Sequence, residues 1–232
     1  MRYFVVPQRV QQKVIHFTQD QMHHMRKVIR FKPGDNVECF DNRGYLYRVE
    51  LKKISKDSTY GKIIETIETN DANERKITIL QAYPSALPKL DIVVEKCTEI
   101  GAHAFILFKS KRSELMVQPS EEKISRWKKI AIKASEQSLR TSVPEIYTID
   151  KFSDLDFSEY DAKILLYEKS ENINWPDETQ TAKNIIVVIG PEGGWEPNEV
   201  EEITKEGFVD CKPFKNILRT ETAPIAACAI LA

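Results

Sequence analysis

The chain has 232 residues, 41% of them hydrophobic and 30% charged, with a formal net charge of −1. That is enough apolar material to bury one large or two small cores, and it excludes a disordered chain. No apolar run approaches the ~20 residues of a membrane span and Met1–Pro7 is too short for a signal peptide, so the protein is expected to stay in the cytoplasm.

The charge is unevenly divided. Residues 1–70 hold 13 Lys/Arg against 8 Asp/Glu, so a net +5 front precedes a remainder of net −6. A basic module on an acidic body suits a protein that meets a polyanion with its front end. Cys39, Cys97, Cys211 and Cys228 are far apart without a CxxC pair, and the four histidines make no HExxH. Neither a metal site nor a disulfide framework is expected, and the four thiols read as buried and free.

Residues 2–6, 37–40, 45–54 and 60–67 are short aromatic and β-branched runs, and turns at Asp41–Gly44 and Lys56–Ser58 join the last three as hairpins. They predict a small β-barrel over residues 1–70. Between its first two strands, residues 20–30 predict a helix with Met22, Met25 and Val28/Ile29 on one face and basic residues on the other. His23 and His24 are adjacent, so they point about 100° apart, which suits surface or RNA-facing groups better than a ligand pair. Residues 68–74 are polar and unpatterned and predict a linker.

A second domain, residues 75–232, follows. Apolar runs at 77–82, 104–108, 163–167 and 185–189 alternate with helical segments, the order of a parallel α/β sheet. Helices are predicted over Leu87–Gly101 and 121–140, each with one apolar stripe, and an Ala-rich ending at 225–232 reads as a fully buried closing helix. The run Ile185–Ile189 stops at Gly190-Pro191-Glu192-Gly193-Gly194, which places bare backbone at the carboxyl end of a strand, where open α/β sheets bind ligands. Tyr167-Glu168-Lys169-Ser170 opens a second loop at that edge and Phe214–Ala223 a third, and together they predict a pocket.

The glycines precede no Walker lysine, no GxGxxG follows the first strand of the α/β region, and there is no GxSxG elbow. What remains is main chain, the apolar side chains of Leu166, Ile189, Ile217 and Leu218, and one cation, Arg219. Such a lining suits a planar heteroaromatic ligand whose edge is read by backbone.

IGPEGGW at Ile189–Trp195 and ILRTETA at Ile217–Ala223 resemble the two signature segments of the SPOUT superfamily of methyltransferases, and more narrowly the RsmE family of 16S ribosomal RNA uridine-N3 methyltransferases. The resemblance runs through His23–Asp35, Glu95–Gly101, Lys111–Ser113 and Arg126–Arg140, nearly the whole chain. It implies a C-terminal SPOUT parallel sheet with a deep trefoil knot, a PUA-like β-barrel in front of it that docks RNA, and a homodimer with the site at the interface. The cofactor implied is S-adenosylmethionine, with Leu166, Tyr167, Glu168, Ile189, Gly190, Pro191, Gly193, Gly194, Ile217, Leu218, Arg219, Thr222 and Ala223 as its candidate contacts. The implied partner is 16S rRNA or the small ribosomal subunit, with no membrane and no metal.

Uridine N3 becomes nucleophilic when its proton leaves, and Arg219 is the candidate to stabilise the charge that develops. Glu221, solvent or a group from a second subunit is the candidate base. Arg9, His24, Arg26, Arg30, Arg112 and Arg140 are candidates for RNA contact. The chain departs from the family pattern at Phe214-Lys215, where a Leu-Gly pair is usual; a glycine at positive φ there would leave Lys215 strained. The alternative function is a non-catalytic RNA-binding or ribosome-assembly factor that retains the fold.

Overall fold

The basic front of the chain forms a curled six-stranded sheet because its β-branched and aromatic residues alternate between a core face and an outer face. The structure, a computed structural model, describes residues 1–69, 75–114 and 118–232. One unit is Met1–Ala72 with Ser135–Val143, the other Asn73–Ala134 with Pro144–Ala232. The strands of the first are β1 (Arg2–Phe4), β2 (Val10–Gln11), β3 (Val14–His16), β4 (Asn36–Phe40), β5 (Tyr45–Ile54) and β6 (Thr59–Glu68). Their order is β1-β4-β5-β6-β3-β2, antiparallel except for β1 with β4. Irregularities in β5 at Arg48/Val49 and Leu51/Lys53 bend the long β5–β6 hairpin. Tyr3, Ile15, Val37, Cys39, Val49 and Leu51 fill the core beneath it.

A capping box opens α1 (Gln19–His23): Gln21 N–H donates to Thr18 Oγ1 at 3.3 Å and Thr18 N–H to Gln21 Oε1 at 3.0 Å. The expected continuous helix does not follow. Residues His24–Ile29 widen into a π turn, closed by Arg30 in the left-handed region at φ +63°. Met22 and Met25 are buried as expected, but Val28 is 60% exposed, because the wider turn rotates the last residues off the core face. Short β2 and β3 were not expected. Glu68, expected in the linker, is the last residue of β6, and Thr69 N–H bonds the Gly44 carbonyl at 2.7 Å; residues 70–74 of that linker lie outside the described residues. Residues 135–143 complete the unit. The Glu136 carboxylate accepts from Phe4 N–H at 2.9 Å, the Asn42 amide pairs with both backbone groups of Val143 at 3.0 and 2.6 Å, and the Arg2 guanidinium reaches the Leu139 carbonyl.

In the second unit six strands pair in parallel: β7 (Lys76–Ala82), β8 (Ala104–Phe108), β9 (Glu145–Ile149), β10 (Ala162–Leu166), β11 (Asn184–Ile189) and β12 (Val209–Cys211), in the order β12-β10-β11-β7-β8-β9. The central strands are apolar on both faces, as a covered parallel sheet requires. The helices are α2 (Pro88–Ile100), α3 (Glu121–Gln137), α4 (Pro197–Lys205) and α5 (Thr222–Leu231). Gly101 ends α2 at φ +130°. The closing helix begins three residues earlier than expected and is not wholly buried: Ala223, Pro224, Ala227, Cys228 and Leu231 are buried, while Ile230 is 53% exposed. Helical periodicity turns one face onto α2 and the sheet and the other outward. All four cysteines are buried and free.

One glycine is demanded by packing alone. A methyl group at Gly61 in β6 would collide with Val49 Cγ1 and lie 2.9 Å from the Glu50 carbonyl oxygen. Gly61→Ala is expected to cost about 1–3 kcal/mol by denaturant unfolding, the scale of overpacking; an unchanged midpoint would show that β5 yields there.

Candidate active site

Because the sheet is parallel, the carboxyl ends of β10, β11 and β12 share one edge, and the chain leaves them as three loops. These loops, with Lys89 of α2, line a cavity of about 410 Å³. Each loop is tied to a neighbour. Trp195, 2% exposed and stacked on Phe108 at 6.4 Å, donates its indole N–H to the Leu166 carbonyl at 3.1 Å. The Thr220 hydroxyl donates to the Gly190 carbonyl at 2.6 Å and accepts from Gln81 Nε2 at 3.0 Å.

The glycines answer two separate demands. A side chain on Gly190 would lie 2.9 Å from the Trp195 indole. Gly194 sits at φ +68°, and its Cβ would lie 3.0 Å from Glu168 Oε1. Glu192 is clamped by Lys89 Nζ at 2.5 Å and by the Ser85 N–H and hydroxyl at 2.8 Å each. At the other end of the turn Arg112 donates to Glu196 at 2.6 Å and to the Gly193 carbonyl at 3.0 Å. Buried Glu199 accepts from Lys111 N–H at 2.7 Å and Glu196 N–H at 3.0 Å, closing the capping box of α4.

Of the thirteen expected cofactor contacts, Arg219 among them, all but Thr222 line this cavity, as does Glu221. Thr222 instead opens α5, its N–H bonded to the Arg219 carbonyl at 2.9 Å. Arg219 is exposed and makes no ion pair with Glu221 or Glu192 among the described residues. Lys89 does, at 2.5 Å from Glu192 and 3.8 Å from Glu221 Oε2. Sequence reading missed Lys89, Trp195 and Thr220. Lys89 follows Pro88 in a helix start and carries no local sign that two distant glutamates converge on it. Lys215 does not have the positive φ that its place in the family pattern suggested.

The expected RNA contacts fall in different surroundings. Arg9 points to the carbonyls of His16 and Phe17 at 3.5 and 3.4 Å, and His24 Nδ1 meets the Tyr3 hydroxyl at 3.1 Å. Arg26 is half-buried on the π turn and Arg30 exposed at its end. Arg140 belongs to the first unit, 3.4 Å from Ser142 Oγ. Arg112, in the second unit, is engaged with the glycine loop.

Burial alone would raise the Glu192 carboxyl, but the Lys89 and Ser85 donors outweigh it and bring it from 4.5 down to about 2. A depressed carboxyl contributes stability that is present above its unfolded value and lost as pH falls through the folded one. Acid unfolding should therefore carry a Glu192 component between pH 4.5 and about 2. Glu192→Gln should flatten that limb; a variant that loses stability in parallel with wild type across the window would show the clamp to be idle.

A family model described as an RNA methyltransferase domain matches residues 71–232, and one described as an RNA methyltransferase PUA domain matches residues 17–64. The chain is 32% identical to ribosomal RNA small subunit methyltransferase E of Bacillus subtilis, over 97% of this chain and 93% of that one. It is 28% identical to the protein of that name from Synechocystis, covering 98% and 76%. Among solved structures, the ribosomal RNA small subunit methyltransferase E of Neisseria gonorrhoeae bound to S-adenosyl methionine superposes with a TM-score of 0.85 at 28% identity, over 99% of this chain and 95% of that one.

Proposed function

We infer the function of this chain from its family and its cavity: it belongs to the ribosomal RNA small subunit methyltransferase E family of RNA methyltransferases. It is an S-adenosylmethionine-dependent methyltransferase of small-subunit ribosomal RNA. The observation that carries this reading is the convergence of the glycine turn, Arg219 and Glu221 on one cavity at the carboxyl edge of the parallel sheet. The residues fit the cofactor. A cavity of about 410 Å³ lies in the range for small-molecule sites, about 300–1,000 Å³. Its walls are main chain and apolar side chains, with the carboxylates of Glu168, Glu192 and Glu221 balanced by Lys89, Lys212 and Arg219, a lining that suits a ligand carrying both apolar and charged parts.

Bound there, S-adenosylmethionine supplies an electrophilic methyl group. Our proposal for the chain's own residues is that the main chain of Gly190–Gly194 and the side chains of Leu166, Ile189 and Leu218 hold the adenosine part. The accepting atom in this reading is N3 of a uridine in 16S rRNA. Glu221 takes the N3 proton, and Arg219 stabilises the charge left on the uracil ring. Support comes from Arg219, which makes no ion pair among the described residues, and from Glu221 Oε2, which is buried without a hydrogen-bond partner among them. The basic first unit docks the RNA backbone through Arg26 and Arg30, with Arg9, His24 and Arg140 as further candidate contacts. The last segment is proposed to thread a trefoil knot, a reading supported by the Thr220 bonds that draw the approach to α5 against Gly190 and Gln81. The enzyme works in the cytoplasm, where its RNA is.

We further propose a homodimer joined through α2 and α5. These two helices pack together while Ile92 and Ile230 remain 49% and 53% exposed. Light scattering at micromolar concentration should give twice the 26.8 kDa of one chain; an active protein at the single-chain mass would end the dimer proposal.

One set of variants tests the roles together. Wild type should bind S-adenosylmethionine by calorimetry, and folded Gly194→Val should not, since a branched residue is strained at φ +68°. Arg219→Ala should lower turnover about 10²-fold or more with RNA affinity little changed. Neutralising Arg26 and Arg30 should weaken RNA binding and reduce its salt slope by about one unit per lost phosphate contact. Normal RNA binding by the Arg26/Arg30 variant, with loss of RNA binding but not of rate in Arg219→Ala, would reverse the assignments.

A further inference from the structure

Two carboxylates share one ammonium at the cavity, and only one of them is used up. Glu192 accepts from Lys89 Nζ at 2.5 Å and from both Ser85 donors at 2.8 Å, so each of its oxygens is bonded. Glu221 Oε2 stands 3.8 Å from the same Nζ, within reach of the charge but beyond hydrogen-bond distance. That oxygen is buried and has no hydrogen-bond partner among the described residues, although the Glu221 side chain as a whole keeps 16% of its surface. A buried anionic oxygen left so is costly unless another group meets it during function. The arrangement is fixed by the backbone. Lys89 is the second residue of α2, Glu221 immediately precedes α5, and these two helices pack on one another.

We propose that Lys89 is a positioning residue for methyl transfer: anchored by Glu192, its ammonium holds the Glu221 carboxylate at the cavity by charge alone and leaves that carboxylate free to accept a proton. This rests on the reading of Glu221 as the base. In the step it serves, the N3–H bond of the uracil breaks, the proton forms an O–H bond with the Glu221 carboxylate, and the electron pair stays on N3 as the nucleophile. Glu192 is the poorer base, because three donors already engage its oxygens and hold its carboxyl down to about 2. The Lys89 ammonium is itself favoured, first by its hydrogen bond to Glu192 and then by the charges of Glu192 and Glu221, against loss of hydration and the opposing charge of Arg219.

The test is a double-mutant cycle in the full-length protein. Single-turnover methyl transfer to small-subunit rRNA and the S-adenosylmethionine Kd are measured for wild type, Lys89→Met, Lys89→Arg, Glu221→Gln and the Lys89→Met/Glu221→Gln pair. Lys89→Gln serves as a second neutral variant should Lys89→Met fold poorly. Glu221→Gln should lower the rate about 10²-fold or more, the scale of general-base loss. Lys89→Met should cost about 10-fold alone and less than about twofold when Glu221 is already Gln, because residues acting through one another are not additive. Lys89→Arg should recover most of the rate, and the cofactor Kd should stay within about threefold throughout. Additive losses, or an effect of Lys89→Met confined to the Kd, would overturn the role of Lys89 while leaving the methyltransferase reading in place. A wild-type protein that binds the cofactor yet methylates no rRNA overturns that reading, and this role with it.

Discussion

The Thr220 hydroxyl lies between the Gly190 carbonyl and the Gln81 amide, and through it three separate stretches of the second unit are joined. A hydroxyl has one proton to give. Once that proton is committed to Gly190 at 2.6 Å, the oxygen's lone pairs face Gln81, so the two bonds orient each other. Thr220 is 7% exposed and Gln81 1%, so neither bond has a ready substitute in water. Arg219 and Glu221 are the neighbours of Thr220 in the chain. Their backbone positions relative to the glycine turn therefore follow from a buried, geometrically narrow contact rather than from the reach of long side chains.

Charge then fixes what that hydroxyl does not. The glycine turn has few side chains to pack, yet both its ends are held. Glu192 is pinned by Lys89 and Ser85; Gly193 and Glu196 are pinned by Arg112. The pairs are partly exposed, so each adds modestly to stability. Their effect is to hold main-chain groups in one orientation, which is what a backbone-lined ligand site needs. Lys89 and Arg112 thus serve the same turn from different parts of the chain, one from α2 and one from the segment after β8.

The buried parallel strands could be read from sequence because a strand covered on both faces must be apolar at every position, and Ile185–Ile189 and Ala104–Phe108 are. Several edge and short strands could not, although β1, three residues at a sheet edge, was expected. β12 is three residues with Asp210 in the middle, β2 is two residues, and β9 alternates Glu145, Tyr147 and Ile149 outside its single strand neighbour, so none carries enough pattern to stand out. The end of the first helix was misjudged for a related reason. Apolar spacing marks residues that fit a regular helix, and it holds no record of a switch to a wider turn at His24. At the site, residue type announced the glycine turn and Arg219, whereas partner choice was hidden. Arg112 reads as a phosphate ligand until Glu196, 84 residues on, is seen beside it.

Phe214-Lys215, where the resemblance leads one to expect Leu-Gly, shows how a loop can hold its path without a glycine. Glycine is required where the backbone turns to positive φ, and Lys215 does not do so. The segment is held by other means. Phe214 meets Trp175 edge-on at 5.7 Å, Lys212 N–H bonds the Asn172 carbonyl at 2.7 Å, and the Asn172 amide returns to the Asp210 carbonyl at 3.0 Å. An aromatic pair of this kind contributes about 0.5–1.5 kcal/mol beyond its buried area. Phe214 also lines the cavity, so the contact that anchors the loop presents an aromatic edge to the ligand space. Here side-chain packing does what a glycine's conformational freedom could do elsewhere, and the path of the chain toward Arg219 is set by contacts with Trp175 and Asn172.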